Sequence, residues 1–574
     1  MTVARESLEA AGAKSLFTDS LSRALGAYLE GLEPYGLSGS VLLARDGEVL
    51  VRAGYGLADR EGNVPATAET VFDIGSITKQ FTAAAILRLE EQGKLRVEDT
   101  ISRFFTGVPA EKRGITVHHL LTHSSGLIGD LGGDYQVMPR DTLVRRALAS
   151  ELQWAPGTRY DYSNLGYSLL GVIIEQTSGQ SYEQYLHQYL LQPAGMSKTG
   201  YRIPEWTAHL LAVGYRGAQR WGTPLEHAWA PDGPWWNLRA NGGLLSTVGD
   251  LYLWHLALQD DRVLTAESRR KFFQPHVAED EEGRSHYAYG WAVFTTPRQT
   301  KLIAHNGGNG YFFADFLRYV DEGVVAIVAT NGSAQEMNMA RDRVVGALFD
   351  GQVPRLPPTA LAPLSAEAMQ PYVGVYALPS GTRIEVSVAN GMLVADAVGQ
   401  EAAELLSNPA ADALSLHREL SALADHAMEG AGRADFAALH EASDAPARSE
   451  ATYQRIRVTS EENLGPYHSH DVLGTVDAWW GGARDPVTFV RLNFERGTRL
   501  FRLHWEERKI VGYGGFVIPN PARATLMPQG GEGFIGYNIG IEHPVPMRFE
   551  REGGSAVRLV IAGAQGEQIA RKER

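Results

Sequence analysis

Near the N-terminus two short apolar runs flank Asp46-Gly47 in "GSVLLARDGEVLVRAGYGLADREG". Runs of this kind around an Asp-Gly dipeptide read as an antiparallel hairpin, because glycine accepts the positive φ of a tight turn. The period then changes. In "GSITKQFTAAAILRLEEQGKL" the residues Ile77, Phe81, Ala84, Ala85 and Leu89 recur at helical spacing, and Gly93 suits a C-terminal cap. Helical patterns dominate from Ser76 to Leu191, and β-rich runs return at "LLSTVGDL", "YGWAVFTT", "KLIAHNGG" and "GVVAIVATNG". Strands first, a helical middle, then strands and a helix predict an α/β sandwich closed by distant parts of the chain. The opening stretch, Met1 to Leu32, reads as an amphipathic helix.

The prolines of "QVPRLPPTALAPLSAEAMQPY" and its lack of periodicity mark a linker. A first domain is therefore expected over 1–351 and a linker over 352–367. Beyond it, "YVGVYALPSGTRIEVSVANGMLVADAVGQ" reads as short strands with Gly turns, suited to a small barrel or curled sheet. "LSALADHAMEGAGRADFAALHEA" turns helical before "TFVRLNFERGTRLFRLHWEERKIVGYGG" resumes alternation, so a helical insert within a β module is expected.

At 574 residues the chain exceeds what one core supports, which agrees with several domains. A formal charge of -14 argues against a nucleic-acid surface. No run approaches the ~20 apolar residues of a membrane span. With no cysteine, thiol nucleophiles and zinc thiolates are excluded. The sequence as written shows no basic-then-apolar leader and predicts a cytoplasmic protein, or a periplasmic or secreted one if a leader was removed.

Ser76 and Lys79 stand three apart at a helix start, on one face, so the amine can reach the hydroxyl. A lysine in an apolar site beside a positive helix end loses preference for its charged form and can accept the serine proton. The alternative is a helix cap with a solvent-facing lysine. Two further groups favour chemistry. Tyr162-Ser163-Asn164 places a phenol and an amide two residues apart before an apolar helix, and His305-Asn306-Gly307-Gly308 ends a β-rich run where glycine lets a substrate approach the backbone.

Ser-x-x-Lys, Tyr-x-Asn and a basic-x-Gly strand, in that order, resemble the signature of the serine β-lactamase and penicillin-binding-protein superfamily, especially its class C-like esterase and D-aminopeptidase branch. "TVHHLLTHSSGL", "PGTRYDYSNLGYSLLG", "NGGLLSTVGDL" and "YAYGWAV" extend the resemblance over roughly residues 20 to 350. It implies a β-lactamase/transpeptidase-like α/β (α+β) fold with a five-stranded antiparallel sheet, an all-helical lobe and a cleft between them. It further implies an acyl-enzyme on Ser76, with Lys79 as base and Tyr162 as proton shuttle, the division of the base role between the two staying open. Asn164 would hold a substrate amide or the Lys79 ammonium, and the N–H groups of Ser76 and Gly308 would form an oxyanion hole beside Gly307. His305 stands where many relatives carry the lysine of Lys-Thr-Gly; at an ordinary pKa of about 6.5 it would be neutral at pH 7 and charged toward pH 6.

Small esters, amides or peptides with D-residues, and β-lactams or D-alanyl-D-alanine ends, all remain open as substrates, and so does a silent binding protein that keeps the cleft. No cofactor or metal is expected, and the partner is a small molecule or short peptide. His123 reads as a satisfied core or turn histidine, His118 and His119 as helix-end residues, and Trp235-Trp236 and Trp479-Trp480 as core or rim. His468, His470 and Asp471 alternate on a strand but lack a further ligand. In the tail, "YVGVY" and the C-terminal strands resemble a lipocalin-like barrel built from 368–411 with 521–574. That leaves 412–520 as an inserted α+β domain; two consecutive β domains are the alternative.

Overall fold

The computed structural model describes residues 15–17, 20–280, 283–296, 298–361, 364–389, 391–480, 483–515, 523–540, 542–563 and 566–573. The chain divides into two compact units, Met1–Met337 and Asn338–Arg574, and the division falls inside the helix Ala334–Asp350.

The first unit is organised on an antiparallel sheet. Its central strands run in the order Glu48–Tyr55, Gly39–Arg45, Val324–Thr330, Phe313–Tyr319 and Lys301–Gly308. The expected hairpin is present, with Asp46 and Gly47 both at positive φ. Val324–Thr330 is buried at every residue, which explains its unbroken apolar run in place of alternation. Among the described residues the sheet has nine strands and not five. Ala292–Thr295, Ser285–Tyr287 and Val277–Ala278 continue it past Lys301–Gly308, and Ser15–Phe17 adds to the other edge.

Two further expectations are corrected. The first helix occupies Ser20–Gly31, Ser15–Phe17 is a strand, and residues 1–14 lie outside the described residues. "LLSTVGDL" is strand only at Leu245–Ser246; Thr247 caps a helix over Val248–Ala257 by accepting the Asp250 N–H. A threonine followed three residues later by an acid is a helix-start signal, and it outweighed the β-rich composition.

Between the hairpin and the later strands lie the helices of the lobe, among them Thr78–Glu91, Arg140–Ala149 and Asn164–Ser178. Thr78–Glu91 is buried almost all round, and its side chains join one hydrophobic core with those of Asn164–Ser178 and of the sheet. The nucleophile candidate thus stands at the end of a helix that the core holds on every side.

In the second unit, Gly374–Ala377, Arg383–Ala389, Met392–Val398, Arg523–Gly530, Gly533–Tyr537, Val545–Glu552, Ser555–Gly563 and Gly566–Lys572 form a closed barrel, sealed by the pairing of its first and last strands. Between its third and fourth strands the chain makes helices Gln400–Ser407, Ala413–Gly432, Ala437–Ala442 and Pro446–Leu464. A four-stranded sheet, Tyr467–Trp480 to Lys509–Gly515, follows them. This part has its own core around Leu420, Met428, Leu492 and Leu503. The His470 ring is engaged by Asp425 and Tyr467, and no group of three metal-ligating side chains occurs among the described residues. The side chains of Trp479 and Trp480 lie outside the described set. No helix among the described residues is long and apolar enough to cross a membrane.

Ile327 is fully buried in the central strand, opposite Leu42 and Phe316. Ile327→Ala is expected to cost about 2–5 kcal/mol through lost burial and the residual cavity, measured by denaturant unfolding.

Candidate active site

Ser76 sits in a single 3-10 turn, Gly75–Ile77, immediately before the helix Thr78–Glu91. The turn places the half-buried serine one helical turn from Lys79, whose side chain is fully buried. Lys79 Nζ lies 3.0 Å from Ser76 Oγ and donates to Asn164 Oδ1 and to the Asn241 carbonyl, each at 2.7 Å. It also lies over the faces of Tyr162 and Tyr167, at 4.8 and 5.6 Å from the ring centres. Burial pulls its pKa down to about 7, although the charges of Asp130 and Asp134 work in the opposite direction. A substantial fraction of the amine is then neutral near pH 7, and its lone pair can receive the Ser76 hydroxyl proton.

Tyr162 and Asn164 come from the segment that opens the helix Asn164–Ser178. Ser163 caps that helix by accepting the Gly166 N–H, and its own hydroxyl donates to the Ile128 carbonyl. Burial, the largest cause, raises the Tyr162 pKa far above its ordinary value, although a hydrogen bond with Ser76 opposes it. The phenol is therefore protonated at neutral pH.

His123 stands in a buried turn, but it is not a fully satisfied histidine, since its Nε2 has no hydrogen-bond partner among the described residues. It is buried at φ 54°, its Nδ1 accepts the Ser163 N–H at 3.0 Å, and its carbonyl accepts the Asp161 N–H at 2.8 Å. Its ring packs 4.1 Å from that of Tyr162. His119 completes a capping box with Thr116 and His118 meets the Tyr289 hydroxyl, so both belong to the helix Val117–Leu121 and its packing. Trp236 is core.

The third group arrives on the strand Lys301–Gly308. A Cβ on Gly307 would stand 2.2 Å from the Ile74 carbonyl oxygen and 2.4 Å from Ser76 N. One on Gly75, which has φ 50°, would stand 2.4 Å from Gly308 N. Only glycine lets the nucleophile turn and the strand end lie this close, and the contact brings the Ser76 and Gly308 amides to one place.

His305 corrects the expectation that it titrates near pH 6. Its Nδ1 donates to the Asn306 carbonyl at 2.6 Å, which leaves Nε2 to accept from the Tyr287 hydroxyl at 2.9 Å. Burial and the Lys79 charge depress its pKa to about 3. It is a neutral, fully engaged ring throughout the physiological range.

Sequence reasoning passed over several neighbours. Asn241, whose carbonyl takes a Lys79 proton, stands in "NGGLLST" with no signal for a backbone role. Asp130, Asp134 and Tyr135 come from the loop after "SSGL", and the two aspartates were the available cue. Tyr135 packs 5.1 Å from Trp221, which stacks on His227 and Tyr311.

A family model described as Beta-lactamase matches residues 30–349, more than half of the chain. The chain belongs to the beta-lactamase family. It is 29% identical over 398 residues to penicillin-binding protein 4* of Bacillus subtilis, covering 65% of this chain and 86% of the relative. It is 32% identical to the putative penicillin-binding protein PbpX of the same organism over 46% of this chain and 64% of that one. Among solved structures, the octameric penicillin-binding protein homologue from Pyrococcus abyssi superposes with a TM-score of 0.52 at 20% identity, over 96% of this chain and all of that one. D-amino acid amidase from Ochrobactrum anthropi superposes with a TM-score of 0.51 at 24% identity, over 58% of this chain and 99% of that one. Membership of the family makes the chain a serine hydrolase of the β-lactamase fold, and the sandwich expected from the sequence is the one observed.

Gly75→Ala tests the close approach. The added Cβ meets backbone, which cannot rotate away, at a φ that disfavours alanine. Fluorophosphonate labelling of Ser76 is expected to fall by about tenfold or more, with circular dichroism confirming the fold.

Proposed function

We propose that the chain hydrolyses small esters, amides or short peptides through an acyl-enzyme on Ser76. Ser76 Oγ attacks the carbonyl carbon while its proton passes to neutral Lys79. The negative oxygen of the tetrahedral intermediate is held by the N–H groups of Ser76 and Gly308, with Gly307 giving it room. The proton then moves from Lys79 through Tyr162 to the leaving group as the carbon–leaving-group bond breaks. Water releases the acyl group by the reverse path. Asn164 keeps Lys79 in place and presents its amide to the substrate. The observation that carries this reading is the dry Lys79 amine, with a pKa of about 7, 3.0 Å from Ser76 Oγ.

Substrate preference follows from charge. A penicillin or a free-carboxylate peptide needs a cation beside the oxyanion strand, and His305 is neutral there. Asp130 and Asp134 act on Lys79 from the nearby loop and suit an amine-bearing or uncharged substrate. The second reading, a β-lactamase or carboxypeptidase, is favoured by the penicillin-binding relatives. A third, a silent sensor, predicts no covalent labelling at all. We assign catalysis to 1–351 and the linker to 352–367, the barrel to 368–411 with 521–574, and an inserted domain to 412–520.

Ser76→Ala is expected to abolish labelling and turnover with the fold unchanged. Lys79→Ala should lose about 3 kcal/mol or more of barrier reduction, because the pair acts as a unit; a variant retaining most of the rate would remove the mechanism.

In a panel of p-nitrophenyl esters, D- and L-amino acid anilides and a chromogenic cephalosporin, esters and anilides are expected to turn over best. Because Lys79 must be neutral, the rate should rise with pH through about 7 and flatten above it. Cephalosporin turnover should not be rescued at pH 6, since His305 stays neutral there. Efficient cephalosporin hydrolysis with esters and anilides ignored would establish the second reading instead.

A further inference from the structure

Three residues before Ser76, the Asp73 carboxyl is almost wholly buried, at 2% exposure. Its Oδ1 accepts the Gly75 N–H at 2.8 Å. Its Oδ2 accepts from Asn309 Nδ2 at 3.0 Å and, at 3.4 Å, from the Tyr135 hydroxyl. The Asn309 amide can face only one way, because its Oδ1 accepts the Tyr311 and Phe312 N–H groups at 3.0 and 2.9 Å. Its NH2 must therefore point at acceptors, and it donates to Asp73 Oδ2 and, at 3.3 Å, to the Tyr135 hydroxyl.

The two residues that Asp73 grips are the neighbours of the two proposed oxyanion donors. Gly75 directly precedes Ser76, and Asn309 directly follows Gly308. We infer that Asp73 is a positioning residue, a strut whose single carboxylate fixes the spacing between the Ser76 and Gly308 amides through Gly75 and Asn309. This rests on the oxyanion hole proposed above.

A buried carboxylate is a costly way to cap a turn. Burial raises its pKa to about 7, and the charge of Asp134 adds to the rise, while the bonds from Gly75, Tyr135 and Asn309 oppose it. An asparagine would cap Gly75 as well, but it would set one NH2 against another at Asn309. What the carboxylate supplies is acceptance on both sides at once, and only the link between turn and strand needs both.

The test exchanges the two ends of the strut, with D73N, N309D and D73N/N309D compared in the full chain. D73N sets two donors face to face, and N309D sets two carboxylates face to face. The double variant restores one donor and one acceptor, and its carboxylate can still take the Tyr311 and Phe312 N–H groups.

Each single variant is expected to lower kcat by about 100-fold, with KM changed by less than about threefold, since the hole acts in the transition state. The double variant should recover to within about tenfold of the native rate. Affinity for phenylboronic acid, which forms a tetrahedral adduct on Ser76, should fall and recover in step, normalised to folded protein. A merely structural role would shift the melting temperature without shifting boronate affinity per folded molecule. A single variant with native kcat, or a double variant no more active than the singles, folded or not, overturns the strut. A native chain with neither Ser76-dependent turnover nor boronate binding overturns the hydrolase reading itself, and the strut with it.

Discussion

The first unit is built around keeping one amine dry. Lys79 has no solvent exposure, and its nitrogen meets Ser76 Oγ, the Asn164 amide, the Asn241 carbonyl and two tyrosine faces. An ammonium in such a place loses most of its hydration, and burial alone would pull its pKa lower than it stands. The acceptors around it and the charges of Asp130 and Asp134 restore part of that loss. The balance near 7 comes from opposing effects, burial against the charges of Asp130 and Asp134, so removing either side would shift it. That requirement explains why Thr78–Glu91 is buried almost all round and why its exposed face is so small.

A dry base is useful only if the serine next to it meets the charge that develops in the reaction. This second requirement is met by backbone, not side chains. Gly75 and Gly307 bring a helix-start turn and a strand end into a contact in which a Cβ on either would stand 2.2–2.4 Å from backbone of the other element. Glycine gives closeness but no rigidity, and the bonds that Asp73 makes to Gly75 and Asn309 span the same contact. His123 does comparable work on the other wall, where one ring both accepts the Ser163 N–H and backs the Tyr162 ring.

These differences decided what was legible in the sequence. The hairpin at Asp46-Gly47, the apolar strands and the Ser76 helix are written in local period and turn chemistry, and the sandwich followed from their order. The side chains Ser76, Lys79, Tyr162 and Asn164 were readable because their spacing matches a known signature, and the structure gathers them around one nitrogen. The Asn241 carbonyl was not readable, because any residue carries one. The start of Val248–Ala257 was misread because a capping threonine sits inside a β-prone run. Ala292–Thr295 lies in the β-rich run "YGWAVFTT", whereas the strands beyond it are two and three residues long, too short to carry a period. His305 was placed correctly on its strand, but its charge depended on Tyr287 and on burial, neither of which is local in sequence.

Electrostatics then link the substrate to the base. Asp130 and Asp134 hold the Lys79 pKa higher than burial alone would. A substrate ammonium set against these carboxylates would cancel much of their field at Lys79, and its own charge would disfavour a second cation nearby. Both effects lower the Lys79 pKa, so an amine-bearing substrate would leave more of the base neutral than the empty cleft does. A carboxylate in the same place would add to the negative field, hold Lys79 protonated and find no cation at His305. In the proposed reaction the same charges that would attract one class of substrate would also ready Ser76 for it, and they would penalise the other class twice.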